Sequence, residues 1–125
     1  MFTKGRHIFV DFIGIKGDEN ELGNFVFNLM AESVEINTTM KIVHKHLVIL
    51  NKDTPPGFTS VLLLDESHFT SHCYSDEGLL AIDLFTCGKT DTTKVIEYFI
   101  NKLKEKYTDI ICTYRNEHER FHNIN

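Results

Sequence analysis

Two stretches of this chain carry apolar residues at helical spacing, and that pair of stripes limits the possible folds more than any other feature. Leu22, Phe25, Val26 and Leu29 recur within 18–33, and Val95, Ile96, Phe99, Ile100 and Leu103 recur within roughly 90–107. Each set is one face of an amphipathic helix that must be buried against another element. The segments around them read as strands: 7–15, where Ile8, Val10 and Phe12 alternate; 40–50; 58–65; 79–85, with Leu80, Ile82 and Leu84 on one face; and 109–114. Gly14 and Gly17 punctuate the first strand, Asp53, Pro55, Pro56 and Gly57 mark a turn, and Thr90 or Asp91 can cap the second helix. The order strand, helix, strands, helix, strand predicts an α+β two-layer sandwich, a largely antiparallel sheet with both helices on one face. The other face must be solvated or covered, and a second subunit is one way to cover it. The polar tail is expected to be loose.

At 125 residues the chain is the size of one domain with one core, so 1–125 is read as a single unit. Its net charge is −5, and acidic and basic residues are interspersed without a Lys/Arg stripe. Nucleic acid and an anionic membrane surface are therefore not expected as partners. Cys73, Cys87 and Cys112 are odd in number and none forms a Cys-x-x-Cys pair, which predicts reduced thiols and a cytoplasmic location. The apolar run after Lys4, Arg6 and His7 is broken by Asp11 and lacks a small-residue cleavage site, so it reads as a strand rather than a signal peptide. No segment has the length needed to span a bilayer.

The chemistry-bearing stretch is 57–88, GFTSVLLLDESHFTSHCYSDEGLLAIDLFTCG. Taken singly, Ser67 is an ordinary turn serine and Cys87 a small buried hydrophobe. Taken together, Glu66-Ser67-His68, His72 five residues beyond the serine, and Asp83-Leu84-Phe85-Thr86-Cys87-Gly88 resemble the signature region of the prokaryotic S-adenosylmethionine decarboxylases. Gly5-Arg6-His7 at the first strand and the helix after Thr-Cys-Gly extend the resemblance over nearly the whole chain.

The resemblance implies an autoprocessing, pyruvoyl-dependent amino-acid decarboxylase of polyamine biosynthesis, self-cleaved into 1–66 and 67–125. The Ser67 hydroxyl would attack the Glu66 carbonyl, and His72 would remove the α-proton of residue 67. Loss of the Glu66 carboxylate and hydrolysis would leave a pyruvoyl group derived from Ser67 as cofactor, with no metal. A serine and a histidine base are the minimum for such chemistry. The resemblance further implies that Cys87 returns a proton to the substrate's α-carbon, that Thr59 assists ester formation, and that cleaved protomers pair as a homodimer with active sites at the subunit interface. His68, beside the cleavage site, is read as processing support or as a structural histidine.

Parity sets one condition on this scheme. Ser67 and His72 are separated by an odd number, so a regular strand would put them on opposite faces. A strained turn or bulge near 66–69 is therefore expected. Other motifs carry less. His118-Glu119-Arg120-Phe121-His122 matches the zinc pattern H-E-x-x-H, but no third ligand and no long helix accompany it. Ser67, His72 and Asp83 could suggest a hydrolase triad, yet no G-x-S-x-G elbow surrounds the serine. His44 and His46 read as neighbours on a polar sheet surface.

The departures from the family pattern concern substrate. Members acting on S-adenosylmethionine carry a Phe shortly before the Pro-x-Gly turn and Thr-Trp-Pro-Glu after the processing histidine. Here Asp53 stands at the first position and Cys73-Tyr74-Ser75-Asp76 at the second. A lost stacking platform forfeits about 1–3 kcal/mol per base. Asp53 and Asp76 could instead pair with a cationic side chain, with Tyr74 as the remaining ring. This favours L-ornithine or L-arginine as substrate. S-adenosylmethionine is the alternative, giving the aminopropyl donor for spermidine, and a non-catalytic regulatory paralogue is a more remote one.

Overall fold

The computed structural model describes residues 4–87 and 89–122; Gly88, the last residue of the Thr-Cys-Gly motif, lies outside the described residues. In chain order the elements are β1 (Gly5–Ile13), α1 (Glu19–Asn37), β2 (Ile42–Leu50), β3 (Gly57–Leu64), β4 (His68–Tyr74), β5 (Leu79–Thr86), α2 (Thr92–Lys106) and β6 (Ile111–Arg120). Both helices begin where the sequence offers an acceptor. The Asp18 carboxylate takes the backbone N–H groups of Asn20 and Glu21, and Asp91 takes that of Lys94.

All strand pairs are antiparallel, in one sheet of order β2-β3-β4-β5-β1-β6. The two helical stripes lie on one face of it. Leu22, Val26 and Leu29 of α1, and Val95, Ile96, Phe99, Ile100 and Leu103 of α2, are buried with Ile8, Val10, Phe12, Phe58, Leu62, Phe69, Leu80, Ile82 and Leu84 from the strands. This is the α+β sandwich that the periodicity predicts. The alternate strand residues, among them His7, Thr59, His68, His72, Tyr74, Asp83 and His118, point to the open face.

One strand was not expected from the sequence, and two expectations need correction. The segment 68–74, rich in His, Thr and Ser and without a hydrophobic alternation of its own, is strand β4 in the middle of the sheet. Its inward positions are Phe69, Ser71 and Cys73, and the Ser71 hydroxyl is matched by that of Ser60 at 2.5 Å. The tail is not loose after 114, because β6 runs on to Arg120 along the whole of β1. That places His118 in a strand, where the one-turn spacing of H-E-x-x-H has no helix to bring its histidines together. Finally, β3 and β4 pair in unbroken register from Gly57↔Tyr74 to Leu63↔His68, with no bulge near 66–69. The irregularities lie instead in β1–β6, between Asp11 and Phe12, and in β2–β3, between Ile42 and His44. Positive φ among non-glycine residues occurs at Asp53 and Phe121, so the processing turn is tight without being strained in that sense.

Candidate active site

The β3–β4 hairpin turns over Asp65 and Glu66, because the Leu64 N–H donates to the Ser67 carbonyl at 2.9 Å. The Glu66–Ser67 peptide bond thus sits at the tip of a hairpin. Ser67 itself is buried in the turn immediately before β4, at a position that continues the inward alternation of that strand. The end of β5 reaches it: the Cys87 backbone N–H donates to Ser67 Oγ at 3.2 Å. Serine and cysteine, twenty residues apart in sequence, are thereby brought together. The neighbouring Thr86 hydroxyl is fully buried and has no partner among the described residues.

Two concavities meet at this turn. One, of about 550 Å³, is lined by Lys4, Met40, Glu66, Ser67, Cys87 and Lys89 among others. The other, of about 320 Å³ on the open face, is lined by Leu63, Glu66, Ser67, His68, Phe85 and Arg120, with Phe121 at its rim.

His72 is not beside Ser67 of its own chain. It lies opposite Thr59 on the open face, and the Thr59 hydroxyl and His72 Nδ1 are 3.1 Å apart. Along a strand, five residues span about 16 Å, and the odd separation adds the change of face. Thr59 and His72 are therefore a genuine pair, remote from the serine that the pair would serve. The triad reading of Ser67, His72 and Asp83 fails on the same geometry, since Asp83 accepts a hydrogen bond from His7 instead.

His68 makes no side-chain hydrogen bond among the described residues and is held by ring contacts: it stacks on Phe85 at 5.7 Å and meets His7 edge-on at 6.1 Å. Burial holds its pKa below the ordinary histidine range; Asp83 opposes that shift, while His7 and Arg120 add to it. Beside it runs a chain of groups that the sequence motifs did not connect. Arg120 Nη1 donates to His7 Nδ1 at 3.0 Å, and His7 Nε2 donates to Asp83. The alternation of the strands carries a signal for it, because 7, 68 and 83 all fall on open-face positions of adjacent strands. Ligand atoms of His7, His68 and Asp83 lie within 4.8 Å of one another, yet a metal there would have to displace the His7–Asp83 hydrogen bond and stand against the Arg120 guanidinium.

Asp53, Tyr74 and Asp76 sit at the other end of the β3–β4 hairpin from Ser67, at the Gly57↔Tyr74 end. Asp53 is exposed in the β2–β3 turn with φ 56°, Tyr74 is exposed, and Asp76 is exposed in the β4–β5 turn. Neither carboxylate makes an ion pair or a side-chain hydrogen bond among the described residues.

Residues 6–116 match the family model for S-adenosylmethionine decarboxylase. A Persephonella marina protein named S-adenosylmethionine decarboxylase proenzyme is 36% identical over 109 residues, covering 86% of this chain and 78% of its own. The chain belongs to the S-adenosylmethionine decarboxylase family. Proteins of the same name from Brevibacillus brevis (34% identical, 85% of this chain and 77% of its own) and Clostridium botulinum strain Langeland (31%, 88% and 92%) are also similar. The crystal structure of the adenosylmethionine decarboxylase from Aquifex aeolicus has the same fold, with a TM-score of 0.69 over 100% of this chain and 99% of that chain at 22% identity. As a member of the S-adenosylmethionine decarboxylase family, the protein is a pyruvoyl-dependent decarboxylase, a carboxy-lyase whose cofactor is formed from an internal serine. The residues at the β3–β4 tip fit such a group. The serine follows a carbonyl exposed in a tight turn, its hydroxyl is fixed by the Cys87 N–H, and cavities open on both sides. Among the described residues, no helix is long and apolar enough to cross a membrane.

Proposed function

We propose that this chain cleaves itself between Glu66 and Ser67 and then decarboxylates S-adenosylmethionine in the cytoplasm, in the service of polyamine biosynthesis. The observation that carries the reading is the Ser67 hydroxyl, held by the Cys87 N–H at the tip of the β3–β4 hairpin. Ser67 Oγ attacks the Glu66 carbonyl carbon, converting the amide to an ester. A base takes the α-proton of residue 67, and the Glu66 carboxylate leaves. Water hydrolyses the resulting dehydroalanine, releasing ammonia. Once formed, the pyruvoyl ketone supplies the electron sink for loss of carbon dioxide. The Cys87 thiol, at the end of β5, returns a proton to the substrate's α-carbon.

The base is His72, oriented through Nδ1 by Thr59. Its distance along the strand keeps it from Ser67 of its own chain, so the reading includes a homodimer, in which Ser67 is reached through the open-face cavity that it lines. In a two-fold pairing of open faces, the Thr59–His72 pair of one protomer serves the Ser67 of the other. Tyr74 is two residues beyond His72 on the same face, and Asp76 lies in the turn that follows, so the same pairing carries them toward the partner's serine. Co-expression tests this directly. A Ser67→Ala chain and a His72→Ala chain each stay intact alone, and in the mixed dimer the His72→Ala chain is cut. An intact His72→Ala chain in the mixture would refute crossing of the site.

L-Ornithine or L-arginine is the second reading. It is favoured by one observation, the two unpaired carboxylates of Asp53 and Asp76 at the hairpin end nearest Tyr74. Carbon dioxide release from the three compounds, offered separately, decides between them. Release from S-adenosylmethionine alone supports the first reading; release from a basic amino acid alone supports the second; release from none points to a regulatory paralogue.

A further inference from the structure

We propose that Arg120 takes the substrate's α-carboxylate, in the open-face cavity beside residue 67; the inference rests on the decarboxylase reading above. The chain has three arginines, Arg6, Arg115 and Arg120. Arg6 pairs with Glu117 at 3.1 Å and Arg115 with Glu97 at 2.7 Å, whereas Arg120 has no carboxylate partner among the described residues. It is nevertheless held in place. Nη1 donates to His7 Nδ1 at 3.0 Å, and the guanidinium carbon lies 5.6 Å from the centre of the Phe85 ring. Because His7 accepts at Nδ1, its proton is on Nε2 and goes to Asp83, so the imidazole stands between the carboxylate and the guanidinium. A cation fixed on two sides, with the rest of its fork unengaged among the described residues, is the arrangement that binds a carboxylate with little further ordering.

Position selects the ligand. Arg120 lines the cavity of about 320 Å³ together with Ser67, Glu66, His68 and Phe85. Each substrate considered is an α-amino acid whose amine must reach residue 67. Its carboxylate is bonded to the same α-carbon as that amine and must lie in a space abutting residue 67. Lys4 and Lys89 border the cavity on the other side, but neither ammonium is held by any hydrogen bond among the described residues. Phe85 presents its ring face to the guanidinium, and Leu63 lines the same cavity.

The test compares wild-type, Arg120→Ala and Arg120→Lys protein. After self-cleavage, each is treated with sodium borohydride, which reduces the ketone at residue 67 to an inert alcohol so that ligands bind without turnover. Calorimetric titration then uses S-adenosylmethionine and its decarboxylated amine, or L-ornithine and putrescine if carbon dioxide release selects the basic amino acid. The expected result is about 10–100-fold weaker binding of the carboxylate-bearing ligand to Arg120→Ala. The amine should change by no more than about twofold, and lysine should restore part of the loss. Equal weakening of acid and amine, or of neither, overturns the proposal, as does loss of self-cleavage in Arg120→Ala. So does unchanged binding with release of fragment 1–66 on gel filtration, which would assign Arg120 to the new Glu66 carboxylate. A wild-type chain that stays intact on a denaturing gel sinks the decarboxylase reading itself, before any titration.

Discussion

Substituting Gly57 by alanine should damage both the stability and the maturation of this protein. A methyl group there would lie 1.9 Å from the Cys73 carbonyl oxygen and 2.9 Å from its carbon. Both are backbone atoms, so no side chain can swing aside. Reaching the 3.0 Å that real Cβ atoms respect requires about 1.1 Å of relative movement between β3 and β4. Overpacking of this kind costs about 1–3 kcal/mol, and a backbone-to-backbone contact belongs at the upper end. At about 4 °C per kcal/mol for a chain of this length, 2–3 kcal/mol lowers Tm by about 8–12 °C. Thr59 is two residues from Gly57, and the same displacement would stretch its 3.1 Å contact with His72 to about 4 Å, beyond hydrogen-bonding range. Melting is best followed in a Ser67→Ala background, which stays one chain, and maturation on denaturing gels of Gly57→Ala alone. A Tm within about 2 °C of the parent, with cleavage at the wild-type rate, would refute the close approach of these strands.

Three further outcomes are expected. Ser60→Ala should cost about 1–3 kcal/mol because it strands the buried Ser71 hydroxyl, whereas Ser71→Ala should cost about 1 kcal/mol because Ser60 still reaches Met30 Sδ at 3.4 Å. The double variant in urea melts should fall short of the sum, and Ser71→Ala proving the more harmful would contradict the assignment. Burial pushes the Cys73 thiol up to about 12, so iodoacetamide at about pH 8 should spare it in native protein and label it after denaturation, as read by peptide mass; labelling of native Cys73 would mean that β4 opens. His68 has a folded pKa held below its usual 6.5, chiefly by burial, so below that value the unfolded chain binds the extra proton. Its contribution to stability is whole above 6.5 and is lost as pH falls through the lowered folded value. His68→Gln should flatten the fall in Tm from about pH 7 to about pH 5, and identical slopes would exclude His68 as the source.

The layers of the fold were legible because both helices wear their apolar stripe openly and their caps, Asp18 and Asp91, stand at the expected ends. Strand β4 was not legible. Its inward face uses Ser71 and Cys73 beside Phe69, and the compensation for Ser71 lies in Ser60 on another strand, which no local pattern reveals. The length of β6 was hidden for a related reason. Thr113 to Arg120 is largely polar, and its pairing with β1 combines backbone hydrogen bonds that any sequence can make with the cross-strand pairs Arg6–Glu117 and His7–Arg120, which show only once the register is known. At the site, the motif drew attention to Ser67, His72 and Cys87, and folding brings only the first and last together. The parity of Ser67 and His72 correctly signalled two faces, but the remedy inferred from it, a local bulge, assumed that both act within one chain. His7, Asp83 and Arg120 come from three strands, so their relay becomes visible only once the strand order is known.

The strand order has a consequence for the life of the mature protein. With the proposed cleavage before Ser67, fragment 1–66 supplies β1, β2 and β3, and fragment 67–125 supplies β4, β5 and β6. Read across the sheet, β1 is enclosed between β5 and β6 of the other fragment. The two polypeptides are interleaved, so scission at the hairpin tip leaves nothing free to drift away. Folding before scission is a first-order search by one chain. Once scission has occurred, refolding becomes an encounter between two molecules, dependent on their concentration, with a loop-closure advantage permanently lost. The mature protein would then owe its persistence to slow unfolding rather than to the ease of its return, and denatured enzyme diluted into buffer should regain activity less readily than its uncut precursor regains its shape.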